Sequence, residues 1–524
     1  MALLFSRWAP ALVAGVLTAA FALWNPPLRD LAAHTLRAEY FEQHGFAIWN
    51  NTWYGGHYLP AYSVLFPPLA ALLSPVWVGA ASAVASAHLF DALVRDRWGE
   101  PARWAGLWFA ALGTLALLAN GWLVFALGAA FALASLRALQ LGRPGVAVLL
   151  ATGSALSSPV AAVFLALVAV VALRRRGLAI AGAALATLGV LGLLFPEGGE
   201  FPFWFSAWWP LAVFCTLALL ATRASGEREV RAVVAVYLGL ATVAWLVSTP
   251  VGGNMTRLGA LFGGPVLLAV LLARAPQRLR APVAVAALAA GLAWQVVSPV
   301  RQVAESLGDP ATERSFYAPV KDWLAAHGAA NDRIEIPHTF NHWEAAYVAP
   351  DFSLARGWLR QLDRERNRIF YDGREPTHAR YRAWLHDNGI RWVAASDARL
   401  DYSAVDEDRL VRERPPYLRL RARLAHWEVY EVVGTHGLVR GPARMVALGP
   451  ESFTLAFGRR GAALVRVRYT PYWRADAGGA CVGEVGHWTL VRADRPGNVR
   501  ISTSFSADAA WRAAAGNPRR CAVG

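Results

Sequence analysis

Asp30, His34, Arg37 and Glu39 lie in "NPPLRDLAAHTLRAEYFEQHGFAIWNNTWYGGHYLPAYSVLFPPLAALL", residues 25–73, between two apolar segments. Asp30 follows the first apolar run by a few residues, and neither Gly nor Pro interrupts the chain from Leu31 to His44. A helix through this stretch sets Asp30 and His34 one turn apart on one face with Arg37 near them, while Glu39 projects from another face. Ionisable side chains at membrane depth are costly and mark a pathway or a site; an interfacial helix with a solvated polar face is the alternative. Trp53, Tyr54 and His57 follow, around the pair Gly55 and Gly56. Aromatic rings, polar tips and close backbone approach suit sugar rings, and they equally suit the aromatic belt at a bilayer interface.

A second group, in "PHTFNHWEAAY", has metal-ligand residue types: His338, His342 and Glu344. A His-x-x-x-His pair converges on a metal through a continuous helix. Pro337 before the pair and Asn341 within it oppose that helix, so no metal site is assigned here. Cys215, Cys481 and Cys521 show no metal spacing and are too few for a disulfide scaffold. Cys215 reads as a packing residue in an apolar span. Pairing of Cys481 with Cys521 stays open, because spacing alone says nothing about distance.

The elements that must position these residues follow from composition. The chain has 524 residues, 56% hydrophobic and 17% charged, with mean hydropathy +0.33. A soluble chain of this length exposes more charge, so most of this one belongs in lipid. About eleven apolar segments approach the length of a span, near 8–24, 59–90, 103–119, 121–137, 144–157, 159–173, 178–195, 207–222, 232–248, 258–273 and 281–298. The net charge of +15 invites a nucleic-acid reading, which fails because many arginines sit in short links between these segments. The positive links alternate along the chain: Arg7, Arg95 and Arg97, Arg137 and Arg143, Arg174 to Arg176, Arg223 to Arg231, and Arg274 to Arg280. The positive-inside rule places them in the cytoplasm with the N-terminus, and places 25–58, Asn120-Gly121, Ser157 to Pro159, "FPEGGEFPFWFS" and "STPVGGNMTR" outside. On that side Arg257 stands alone among the arginines of the spans.

From about residue 300 the composition turns to mixed charge, predicting an extracytoplasmic region. "SFYAPVKDWLAAHG" and "THARYRAWLHDNG" read as helices; "RIEIPH", "IRWVAAS" and "WEVYEVVG" read as strands of an α/β unit to 435. Beyond it, "RMVALG", "SFTLAFG", "AALVRVRYTPYW", "HWTLVRA" and "NVRISTSF" predict a small antiparallel β sandwich. The expected domains are therefore 1–299, 300–435 and 436–524. No Walker loop, GxGxxG after a strand, or GxSxG elbow is present, so cytosolic nucleotide chemistry has no anchor.

At residues 25–75 the sequence resembles the C-type (GT-C) membrane glycosyltransferases. It is most similar to bacterial polytopic proteins labelled 6-pyruvoyl-tetrahydropterin synthase-related, a label that implies no pterin chemistry. Protein O-mannosyltransferases and lipid A aminoarabinose transferases are more distantly similar. The matching positions are Asp30 after the first span, Gly45 after the loop helix, Trp53 to Gly56, and Pro67, Pro68 and Leu69. Asp30 and His34 also fit the D-x-x-x-H form of the pterin-labelled group. Two positions depart: Leu31 stands where many O-mannosyltransferases have a second acid, and Asn120-Gly121 lacks the extra acid of several relatives.

The resemblance implies an α-helical polytopic GT-C-like membrane protein with an extracytoplasmic α/β plus β-sandwich region, in a bacterial cytoplasmic membrane. It implies an inverting transferase that takes a sugar from a polyprenyl-phosphate donor and passes it to an envelope glycan, lipid or protein. Asp30 is the expected general base, with Glu39 second. Arg257 is the expected partner of the donor phosphate, with Asn254 and the first amides of the following span beside it. His34, Arg37, Trp53, Tyr54 and His57 are the remaining substrate-contact candidates. No cofactor is assigned; a divalent metal stays open. The rival readings are a transporter or flippase, which usually shows internal repeats that are not found here, and a non-catalytic assembly scaffold.

Overall fold

The computed structural model describes residues 6–517 and Cys521. It divides into two compact units. The first comprises Met1–Glu42, Tyr62–Val190 and Glu200–Leu307; the second comprises Gln43–Ala61, Leu191–Gly199 and Gly308–Gly524. Two short segments from the apolar half thus belong to the second unit.

The first unit is helical. Among the described residues, seven runs are long and apolar enough to cross a membrane, or eight if the bent pair Ala9–Trp24 and Arg29–His44 counts as one. The count differs from the eleven expected for local reasons. The 59–90 segment keeps one span, Pro75–Trp98, set off from the short helix Phe66–Leu73 by Ser74 at φ 69°, so the shortfall lies elsewhere. Helices Pro144–Ser157 and Phe205–Ala221 have only 14 and 17 residues. The run Pro159–Leu194 breaks at Arg174, φ 51°, and doubles back, since Ala162 and Ala184 share one small core cluster. Proline opens helices at Pro75, Pro144, Pro159 and Pro282, where a missing N–H costs nothing.

The links sort to two ends of this bundle. At one end Arg97 pairs with Glu227 at 2.9 Å and Glu229 at 2.8 Å, Arg274 pairs with Glu227 at 3.1 Å, and Arg137 pairs with Asp96. These are links that the charge rule puts on a common side. The complementary set meets elsewhere: the Ser298 hydroxyl donates to Asn120 at 2.7 Å, and Phe201 donates to the carbonyl of Thr249 at 3.0 Å. Between the ends, the helices carry two π-turns, Phe109–Gly113 and Gly259–Gly263, with Phe109 stacked on Phe262 at 5.0 Å. Buried Gln295 donates to the carbonyl of Leu261 within the second π-turn at 3.0 Å, and accepts from Trp108 at 2.6 Å. That pairing satisfies backbone which lipid would leave without a partner.

The second unit has a five-stranded mixed sheet in the order Ser353–Leu354, Arg333–Glu335, Ile390–Ser396, Trp427–Val432, Leu418–Arg423. Helices Arg314–Ala326 and His378–Asp387 occupy the positions that the sequence pattern predicts. Two four-stranded antiparallel sheets follow, and Leu455, Val465, Val491 and Ile501 from both sheets share one core. Trp49, Tyr58 and Phe195 enter that same core. A disulfide joins Cys481 to Cys521.

Candidate active site

The chain leaves helix Ala9–Trp24 through Asn25 in a left-handed conformation, then Pro26 and Pro27, and bends by 82° into helix Arg29–His44. Gly45, φ 70°, ends that helix. Asp30 sits in its first turn, where the free amides and the helix dipole favour a carboxylate. His34 and Arg37 lie four and seven residues on, so the three share one face. Glu39, nine residues from Asp30 on the same unbroken helix, faces away from them.

The other side of the site comes from distant sequence. The Asn120-Gly121 link reaches the helix face: His34 Nε2 is 3.2 Å from the carbonyl of Gly121, and Gly121 has φ 70°. Arg257 lies over the ring of Trp122 at 4.9 Å and that of Phe125 at 5.6 Å, and its charge acts on both Asp30 and His34. Arg37 lies 3.9 Å above the ring of Tyr62, whose hydroxyl feels Asp30, Arg37 and Arg257. The assembly thus holds one carboxylate, one imidazole, two guanidiniums and one phenol. Chemically it offers a proton acceptor beside a cationic seat for an anion.

Asn254 is buried in the turn Gly252–Met255, three residues before Arg257. The helical run begins at Gly252, ahead of Arg257 rather than after it. The amides that follow Arg257 are therefore already inside helix, contrary to the expectation that they open a span toward an anion.

Trp53, Tyr54 and His57 are placed differently again. They belong to the second unit and are fully buried there. Residues 52–54 lie along its sheet: Leu354 donates to the carbonyl of Thr52 at 2.8 Å, and Tyr54 donates to that of Leu354 at 3.1 Å. The Trp53 indole donates to Ala345 at 3.2 Å, the Tyr54 hydroxyl to Leu359 at 2.9 Å, and the His57 ring stacks on Trp53 at 5.4 Å. A Cβ on Gly56 would stand 2.3 Å from the Trp49 ring, so the glycine pair makes room for protein rather than ligand. These rings present no open face to a sugar; they act as core.

Sequence reasoning missed Gly121 as a neighbour of Asp30, Trp122 as a neighbour of Arg257, and Tyr62 as a neighbour of Arg37. The Asn-Gly dipeptide marked the turn, but nothing local marked its partner.

No protein family and no curated protein matches the chain. Among solved structures, a substituted form of the mycobacterial arabinofuranosyltransferase AftD is similar with TM-score 0.47 and 15% identity, covering 96% of this chain and 60% of that one. A second AftD structure from mycobacteria gives TM-score 0.40 and 15% identity over 96% and 57%. The chain spans about three fifths of their length.

Proposed function

We propose that this protein is a membrane glycosyltransferase that moves a sugar from a polyprenyl-phosphate donor to an envelope glycan, lipid or protein at the outer face of a bacterial cytoplasmic membrane. The observation that carries this reading is that one link, Gly121-Trp122, packs Gly121 against Asp30 and Trp122 under Arg257, which brings a carboxylate and a cation from distant sequence to the same part of the membrane unit. In the reaction, the acceptor hydroxyl oxygen forms a bond to the anomeric carbon while the bond from that carbon to the phosphate oxygen breaks. The hydroxyl proton passes to the Asp30 carboxylate, and the charge on the departing phosphate is met by Arg257. Attack from behind the leaving group inverts the anomeric centre.

A cavity of 730 Å³ in the same unit supports a lipid-borne donor. It runs from Leu258, next to Arg257, to Arg97 and Arg176, and Phe125, Phe164, Phe214 and Phe262 line it. Such a lining holds a hydrocarbon chain by apolar burial.

The test compares lipid and glycan profiles of a deletion strain and an Asp30→Asn strain. Matching losses support a transferase. A loss confined to the deletion rejects Asp30 as base and favours a scaffold or transporter.

A further inference from the structure

Between strand Arg333–Glu335 and the short helix Glu344–Tyr347 the chain makes a non-helical turn, in which His342 takes a left-handed conformation at φ 57°. That turn does what a helix was expected to do. One ligating atom from each of His338, His342 and Glu344 lies within 4.8 Å of the other two. All three residues are 2 to 3% exposed.

Each atom is prepared for a cation in a way that packing alone does not demand. Among the described residues, neither ring nitrogen of His338 has a hydrogen-bond partner; its Nδ1 comes only to 4.0 Å from Asp363. A buried imidazole without a partner is a cost that packing does not repay. Glu344 has Oε2 held by the Thr339 hydroxyl at 2.5 Å, which turns Oε1 to within 3.4 Å of His342 Nδ1. Two atoms on a tetrahedral zinc are separated by about 3.3 Å at ordinary bond lengths. On its far side, His342 Nε2 is 3.4 Å from Asp401 and 3.3 Å from Arg360. Arg360 grips Asp401 with contacts of 3.1 and 2.8 Å. A carboxylate behind a ligating histidine fixes the ring's tautomer and orientation.

Charge points the same way. Glu335, Glu344, Asp363, Asp401 and Glu407 meet only two guanidiniums in this network, Arg356 and Arg360. These five buried carboxylates outnumber the two guanidiniums, an excess of negative charge that a bound cation would relieve.

We propose that His338, His342 and Glu344 bind a divalent transition-metal ion of the zinc class, which ties this turn to the sheet. Two imidazoles and a carboxylate suit zinc chemistry better than calcium or magnesium. The burial of the ligands gives the ion a structural part.

The test uses the full chain in detergent, purified through a tag without histidine and assayed for metals by mass spectrometry. About one zinc per chain is expected, with at least a five-fold loss in His338→Leu and His342→Ala. Removal by phenanthroline is expected to lower the thermal midpoint, and added zinc to restore it. Should a histidine variant fail to accumulate, Glu344→Gln keeps the side-chain shape and is read in the same way. In a protein without a site, His338→Leu removes an unpartnered polar group and leaves the midpoint unchanged or higher. That result, metal content unaltered in the variants, or an intact chain that neither carries zinc nor responds to it overturns the proposal.

Discussion

A Cβ on Gly121 would stand 2.7 Å from the Cβ of Asp30, so the carboxylate's position depends on a glycine ninety-one residues away. With φ 70°, the same glycine takes a conformation that side chains resist. Its carbonyl also meets His34. One small residue therefore sets the spacing between the Asp30 helix and the link that carries Trp122.

Gly121→Ala is expected to displace Asp30 while leaving the protein in the membrane. A shift of about an ångström at the reacting group costs on the order of 10²-fold in rate. Transfer measured in membrane vesicles, normalised to folded protein, checks this; wild-type rates would show that the close approach does not matter.

Asp30→Asn removes the proposed proton acceptor and keeps the shape. Transfer is expected to fall about 10²–10⁴-fold. Glu39→Gln, on the opposite face, is expected to stay within about two-fold of wild type by the same helix geometry. Assaying both in the same vesicles separates the two carboxylates, and the reverse order would reassign the base to Glu39.

Arg257→Ala takes the cation from over Trp122, the residue that follows Gly121. A charge-assisted contact is worth about 1.5–3 kcal/mol, so apparent affinity for a lipid-phosphate donor should fall by roughly 10- to 100-fold. Donor titrations at fixed acceptor measure it. Arg257→Lys is expected to recover only part, because an ammonium neither stacks on Trp122 as a plane nor binds phosphate as a fork.

Glu335 lies buried beside Glu407, with Arg356, Asp363 and Tyr381 around the pair. Burial first, then the Glu407 charge, holds the Glu335 carboxyl protonated far above the ordinary carboxylate range. The unfolded chain releases that proton near its ordinary pKa, so folding takes up a proton above it. Stability is then lost as pH rises from the ordinary carboxylate range toward the raised value. Glu335→Gln should remove this slope, matching wild type in mild acid and exceeding it at about pH 8. Thermal unfolding across pH decides; parallel curves would mean that Glu335 is ionised in the fold.

Breaking the disulfide by Cys521→Ala opens a loop of 40 residues. Chain entropy puts the cost at about 4 kcal/mol. Urea unfolding of the two forms checks it.

Much of this was legible locally. The run from Leu31 to His44 without Gly or Pro is enough for a helix, and spacings of four and seven put Asp30, His34 and Arg37 on one face. A mainly apolar run marked the strand Ile390–Ser396, alternation marked Ser452–Phe457, and arginines marked the links that ion pairs gather at one end. Such features are legible because helix and strand periods act over a few residues, and because charge avoids lipid wherever it falls.

Which distant surfaces meet was settled by packing. Trp53, Tyr54 and His57 have the composition of a binding surface, yet backbone pairing with Leu354 draws them into a core. Gly121 reaches Asp30, and Arg257 reaches Trp122 beside that glycine, because helices pack, not because of any spacing between them. His338, His342 and Glu344 converge through a left-handed residue that no helical pattern announces. Local periodicity tells which way a side chain points on its own element; what it faces depends on long-range burial, summed over the whole chain.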